Sequence, residues 1–77
     1  MKIESVDIME VSDNEGTMQF RKNDIVKVVY SLDKICTGRI TFIDTTNFEI
    51  DASKEYKSDI RNIEYDDIKL IKLIKRQ

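Results

Sequence analysis

Residues 38–50, Gly38-Arg39-Ile40-Thr41-Phe42-Ile43-Asp44-Thr45-Thr46-Asn47-Phe48-Glu49-Ile50, read as two strands joined by a tight polar turn. Asp44-Thr45-Thr46-Asn47 is the turn, because Asp and Asn tolerate left-handed backbone and hydrogen-bond to their own chain. Before it, a strand from Ile35 to Ile43 places Cys36, Ile40 and Phe42 on one side,. Gly38 within that strand permits the bend that a small curved sheet needs. After the turn, Phe48, Ile50 and Ala52 alternate inward on a second strand,.

Working outward, the same period of two recurs. In residues 25–32, Val26, Val28, Tyr30 and Leu32 alternate onto one face, with Lys27 and Ser31 on the other,. Arg21-Lys22-Asn23-Asp24 forms the turn ahead of this strand and Asp33-Lys34 the turn after it. Residues 53–59 are polar and charged and form a long exposed loop. Ile60 to Tyr65 is a further strand, with Ile63 and Tyr65 in register and Ile60 offset by a bulge. Asp66-Asp67 suits one 3₁₀ turn, and Ile68 to Ile74 closes the chain as a strand. Lys69, Lys72 and Lys75 recur every three residues, as on a helix, but the apolar residues among them spread too widely around a helix for a surface element. Lysines along a closing strand also blunt its edge against aggregation. In the first twenty residues, Val6, Ile8 and Val11 form a strand that turns at 12–16 into Thr17 to Phe20; the alternative is a short helix lined by Ile3, Val6 and Met9. The hairpin is the expectation.

Composition supports sheet throughout. Ile, Val and Thr number twelve, five and five, against one Ala and three Leu. β-branched side chains lose rotamer freedom in helices and pack well on a pleated surface. Seventy-seven residues make one domain, 1–77, with one small core,. Its N-terminal segment, 1–20, sets Lys2 against five carboxylates for a net −4, while 21–77 holds twelve basic and ten acidic side chains for a net +2. No uncharged run approaches the ~18 residues of a spanning helix, and Glu4 and Asp7 interrupt any leader core, so no membrane association and a cytoplasmic location are expected. Cys36 is the only cysteine, so no internal disulfide is expected; between Ile35 and Thr37 it reads as a buried, inert thiol,.

Five short strands with a one-turn helix before the last describe an all-β, small, partly open barrel with an extra N-terminal hairpin or strand. Over residues 20–75 this order resembles the Src-homology-3-like (SH3-like) barrels and, among them, the Sm-like proteins. The 38–50 stretch is similar to the first Sm motif: a glycine, hydrophobics at Ile40 and Ile43, then Asp44 and a loop carrying Asn47. The resemblance implies base-holding roles for Asp44 and Asn47. The loop is one residue shorter than the Sm pattern, and Thr46 stands where methionine is common. Where the second Sm motif has arginine and glycine, this chain has Tyr65-Asp66-Asp67. Two carboxylates repel phosphate and offer no planar cation to stack on a base.

Catalysis finds no footing in these residues. There is no histidine, so the usual nucleophile–base pairs are missing, and adjacent acids such as Asp66-Asp67 more often face water in a turn. Asp13-Asn14-Glu15-Gly16 lacks the alternating ligands of a calcium loop, and no glycine-rich phosphate loop occurs. No enzyme activity, metal or cofactor is expected. Lys54, Lys57 and Arg61 gather around the long loop beside Tyr56, and Asp44, Asn47, Lys54, Tyr56, Lys57 and Arg61 are the candidate nucleic-acid contacts. Glu55 and Asp59 interleave with them, as on an ordinary solvated face. Tyr30, Tyr56 and Tyr65 are candidates for a protein-binding surface. The leading expectation is a non-enzymatic protein-interaction or assembly module, as a monomer or a homo-oligomer. The alternatives are an Sm-like binder of RNA or single strands, and a small acidic inhibitor of a nucleic-acid-binding protein, of the kind phages and mobile elements encode.

Overall fold

The computed structural model describes residues 8–13, 16–55 and 57–76. Seven strands and one 3₁₀ turn follow one another: β1 (Ile8–Asp13), β2 (Gly16–Arg21), β3 (Ile25–Tyr30), β4 (Lys34–Ile43), β5 (Asn47–Asp51), β6 (Ile60–Glu64), the 3₁₀ turn Tyr65–Asp67, and β7 (Ile68–Lys75). β1 and β2 form a two-stranded antiparallel sheet, and the other five form a second sheet in the order β6-β5-β4-β3-β7. The fold is all-β, and the N-terminal hairpin expected from residues 8–20 is present. The part of that expectation resting on Val6, and the alternative helix through Ile3 and Val6, lie outside the described residues.

Period-two patterning explains the core. Val26 and Val28 of β3, Cys36, Ile40 and Ile43 of β4, Phe48 and Ile50 of β5 and Ile63 of β6 are buried together. Met9 and Phe20 of the hairpin join the same cluster, so the small sheet packs on the large one. The last strand returns beside the first of the large sheet, with β7 pairing antiparallel to β3. Among the described residues no strand joins β6 to β7, so the sheet is not closed by hydrogen bonds and both of these strands are edges.

Four details depart from expectation. Leu32 is 90% exposed rather than inward. β3 ends at Tyr30, and Ser31 and Asp33 take φ of 54° and 61°, which swings Leu32 out on the tip of the turn. Phe42 is 52% exposed and Ile43 is buried instead. A bulge between Ile40 and Phe42 leaves Thr41 without a β5 partner and reverses the alternation,. Thr41 Oγ1 donates to Glu49 Oε1 at 2.8 Å across this irregularity. Ile60 faces out without a bulge, because β5 and β6 pair in unbroken register from Asp51–Ile60 to Asn47–Glu64. Tyr65 belongs to the 3₁₀ turn rather than to β6, yet its ring stacks on Phe48 at 5.9 Å and 19°.

One turn residue serves the whole molecule. Asn23, at φ 78°, lets the chain reverse between β2 and β3, and Asp24 beside it is buried to 1% exposure. Asp24 Oδ2 accepts from the Arg21 backbone N–H at 2.9 Å and lies 3.5 Å from Arg76 Nη2. Arg76 Nη2 also donates to the Gln19 carbonyl at 2.8 Å. The residue just past β7 thereby ties the hairpin to the large sheet.

A candidate binding surface divided between two ends of one strand

Asp44 and Asn47 flank the β4–β5 turn and are occupied in building it. The Asp44 carboxylate accepts from the Thr45 N–H at 2.7 Å, and the Asp44 N–H donates to the Asn47 carbonyl at 2.9 Å. The Asn47 amide reaches Thr46 Oγ1 at 3.2 Å. The 3₁₀ turn docks against this loop: the Tyr65 N–H donates to the Thr46 carbonyl at 3.0 Å, and the Tyr65 hydroxyl donates to the Asp44 carbonyl. Burial raises the Tyr65 hydroxyl above the usual phenol range, with the Asp44 carboxylate a second cause. The chain therefore brings the 44–47 loop and the 65–67 segment together, but the meeting place carries Asp44, Glu64, Asp66 and Asp67 and no arginine. Such a surface repels a phosphodiester.

The cationic candidates gather elsewhere. Lys54, Lys57 and Arg61 border an open groove of about 900 Å³ whose other walls include Ile35, Cys36, Thr37 and Asp59. Lys54 and Lys57 exchange backbone hydrogen bonds of 3.2 and 2.9 Å across a tight turn, in which Glu55 takes φ 53°. Tyr56 lies outside the described residues. Arg61 is already engaged on three nitrogens. Its Nε and Nη2 donate to the two Asp59 carboxylate oxygens at 3.0 and 3.1 Å, and its Nη1 donates to the Tyr30 hydroxyl at 3.1 Å. A fork–fork pair of this kind fixes the guanidinium plane on a carboxylate and raises the arginine's pKa, with Asp59 the first cause and Tyr30 the second. Asp59 thus already offsets the charge of Arg61 and occupies its fork, leaving two of the five N–H groups for any other acceptor,.

The two groups of candidates sit at opposite ends of β5, which spans five residues, or ~17 Å at the usual rise per strand residue. They do not form one site. The tyrosines are likewise apart in role: Tyr30 is half-buried against Arg61, and Tyr65 is half-buried against Phe48. Cys36 is buried, as its flanking residues implied, and desolvation raises its thiol pKa,. Asp51, at the end of β5, is held below the usual carboxylate range by hydrogen bonding from Ser53, whose N–H lies 2.9 Å from Oδ1.

A second groove, of about 750 Å³, runs between the hairpin and β7, lined by Met9, Val11, Met18, Tyr65, Leu70 and Ile71 among others. Nothing in the period-two reading placed the hairpin beside β7, because the packing of one sheet on another is not local. Among the described residues there is no group of three or more His, Cys, Asp or Glu arranged to hold a metal ion, and no helix long and apolar enough to cross a membrane. No protein-family model, curated protein sequence or solved structure matches this chain.

Proposed function

We propose that this chain is a non-enzymatic protein-interaction or assembly module built on a small SH3-like or Sm-like β-barrel plan. The observation carrying the reading is the open sheet: β6 and β7 each pair on one side only. Each also presents exposed apolar side chains, Ile60 at 57% on β6 and Leu70 and Ile74 at 49% and 56% on β7. An unpaired strand edge flanked by apolar side chains takes up an extended partner segment by main-chain hydrogen bonding, with pockets reading alternate side chains. The groove between the hairpin and β7 adds Met18 and Val11 as a wall for such a segment. Support for the barrel plan comes from the strand order, with β7 returning beside β3 and a 3₁₀ turn immediately before it. The occupied Arg61 and the division of the candidates across β5 weigh against a base-binding site at Asp44 and Asn47.

Peptides selected from a random display library on the purified protein, then mapped by amide chemical shifts, test the proposal. The expected peptides alternate apolar and polar residues and perturb β6 or β7, and Ile60→Lys or Leu70→Lys weakens them at least tenfold. Peptides whose perturbations centre on the 44–47 loop, or a selection that enriches none, would overturn it.

A further inference from the structure

The strand register places cations on one face of the large sheet with a regularity that the linear sequence conceals. On the side away from the core, Thr37, Lys27 and Lys72 form one row across β4, β3 and β7, and Arg39, Ile25 and Lys75 form the next row of that face. Lys27, Arg39, Lys72 and Lys75 are all exposed. Lys27 and Lys72 stand directly opposite one another, an arrangement that disfavours the sheet, since like charges facing across strands repel. Among the described residues none of the four has an ion-pair partner within salt-bridge distance. Two carboxylates stand at the margins: Asp51 pairs across from Arg39, and Asp33 is taken by Lys69 at 3.0 Å. On the other side of the Lys27 row lies an apolar one, Ile35, Val29 and Leu70, whose outer members are 58% and 49% exposed.

We propose that this outer face of β4, β3 and β7 binds single-stranded nucleic acid through its phosphodiester backbone. The inference stands on the cations of the outer face and not on the unpaired main chain of the edges, although β7 contributes to both, and it goes beyond the interaction role. Lysine is depleted from protein–protein interfaces and tyrosine and tryptophan are enriched, whereas this face is rich in lysine and carries neither of those two; its one exposed ring among the described residues is Phe42, beyond Arg39 on β4. Lysine acts on phosphate as a point charge needing no fixed geometry. The apolar row one pleat repeat away, at ~6.8 Å along the strands, gives unstacked bases a surface to lie against, which a duplex, with its bases turned inward, cannot use. Because phosphate charge and base stacking are common to every sequence, the contact is indifferent to sequence.

Fluorescence anisotropy of a labelled oligothymidylate of about 20 nucleotides, titrated with the full chain at two salt concentrations, tests this directly. Four phosphate contacts predict a log–log salt slope of roughly −2.8, so affinity falls about 50-fold between about 50 and 200 mM salt. In the double variant Lys27→Gln/Lys72→Gln the slope halves, and the same change of salt weakens binding only about 7-fold. The variant should melt at or above the temperature of the parent, because it removes a repulsion. Three results overturn the proposal: no saturable binding at the lower salt, a parental slope in the double variant, or polyglutamate displacing the oligonucleotide as well as unlabelled oligonucleotide does. The last outcome marks the face as one for acidic protein segments.

Discussion

Gly38 sits in β4 where the β5 backbone passes so closely that an added Cβ would lie 2.3 Å from the Asp51 carbonyl oxygen. Its φ is ordinary, so the demand is for space and not for left-handed backbone. Gly38→Ala is expected to cost about 1–3 kcal/mol, the usual range for overpacking, measured by urea unfolding. The sequence signalled that a glycine mattered here but suggested a bend; the close approach depends on where β5 ends. Asp24 was less legible still. Read as a turn former, it is in fact buried, because Arg76, 52 positions later in the chain, comes to lie beside it. Asp24→Ala should cost about 1–3 kcal/mol in the same assay, through the lost bond to the Arg21 N–H and the lost ion pair. Tyr65 supplies a pH dependence. Its folded pKa is raised, so the folded state favours the neutral phenol; the resulting stability is complete below the unfolded value of ~10 and is lost as pH rises through the higher folded value,. Stability should therefore fall as pH rises past ~10, and Tyr65→Phe should flatten that fall while costing about 1 kcal/mol at neutral pH for its bond to the Asp44 carbonyl.

Strand identities and the single 3₁₀ turn were legible from alternation and β-branched composition, and most boundaries lie within a residue or two of expectation. What alternation does not reveal is where it breaks. In β4 the pattern Cys36, Ile40, Phe42 holds only until the bulge at Thr41, after which Ile43 points inward and Phe42 out. Which residue bulges depends on the cross-strand partner Glu49, not on β4 alone. Paired truncations separate the two registers. Ile43→Ala should destabilise by about 2–5 kcal/mol as a core deletion, and Phe42→Ala by less than about 1 kcal/mol because half its surface already meets water. The reverse order would place the bulge elsewhere. Ile60 teaches the same lesson in the other direction. An outward isoleucine invited a bulge to bring it in, whereas the regular β5–β6 register leaves it exposed on an edge strand.

At the scale of the molecule, the all-β class and the N-terminal hairpin were readable from the chain, while the arrangement of the candidate site was not. Lys54, Lys57 and Arg61 do share a groove, as their proximity in sequence implied. Asp44 and Asn47 lie at the far end of β5, and the acidic 65–67 segment docks on them. The cationic face of Lys27, Arg39, Lys72 and Lys75 was invisible until strand order put β7 beside β3, because its members come from three segments spread through the chain. The open edges follow from the same topology, and on them the proposed interaction role depends. Residue-resolved amide hydrogen exchange of the purified chain probes those edges directly. Amides of β3, β4 and β5, paired on both sides, should exchange only through global opening, while alternate amides of β6 and β7 exchange at least ~100-fold faster. Uniform protection along both β6 and β7 would contradict the open sheet and, with it, the strand-addition role.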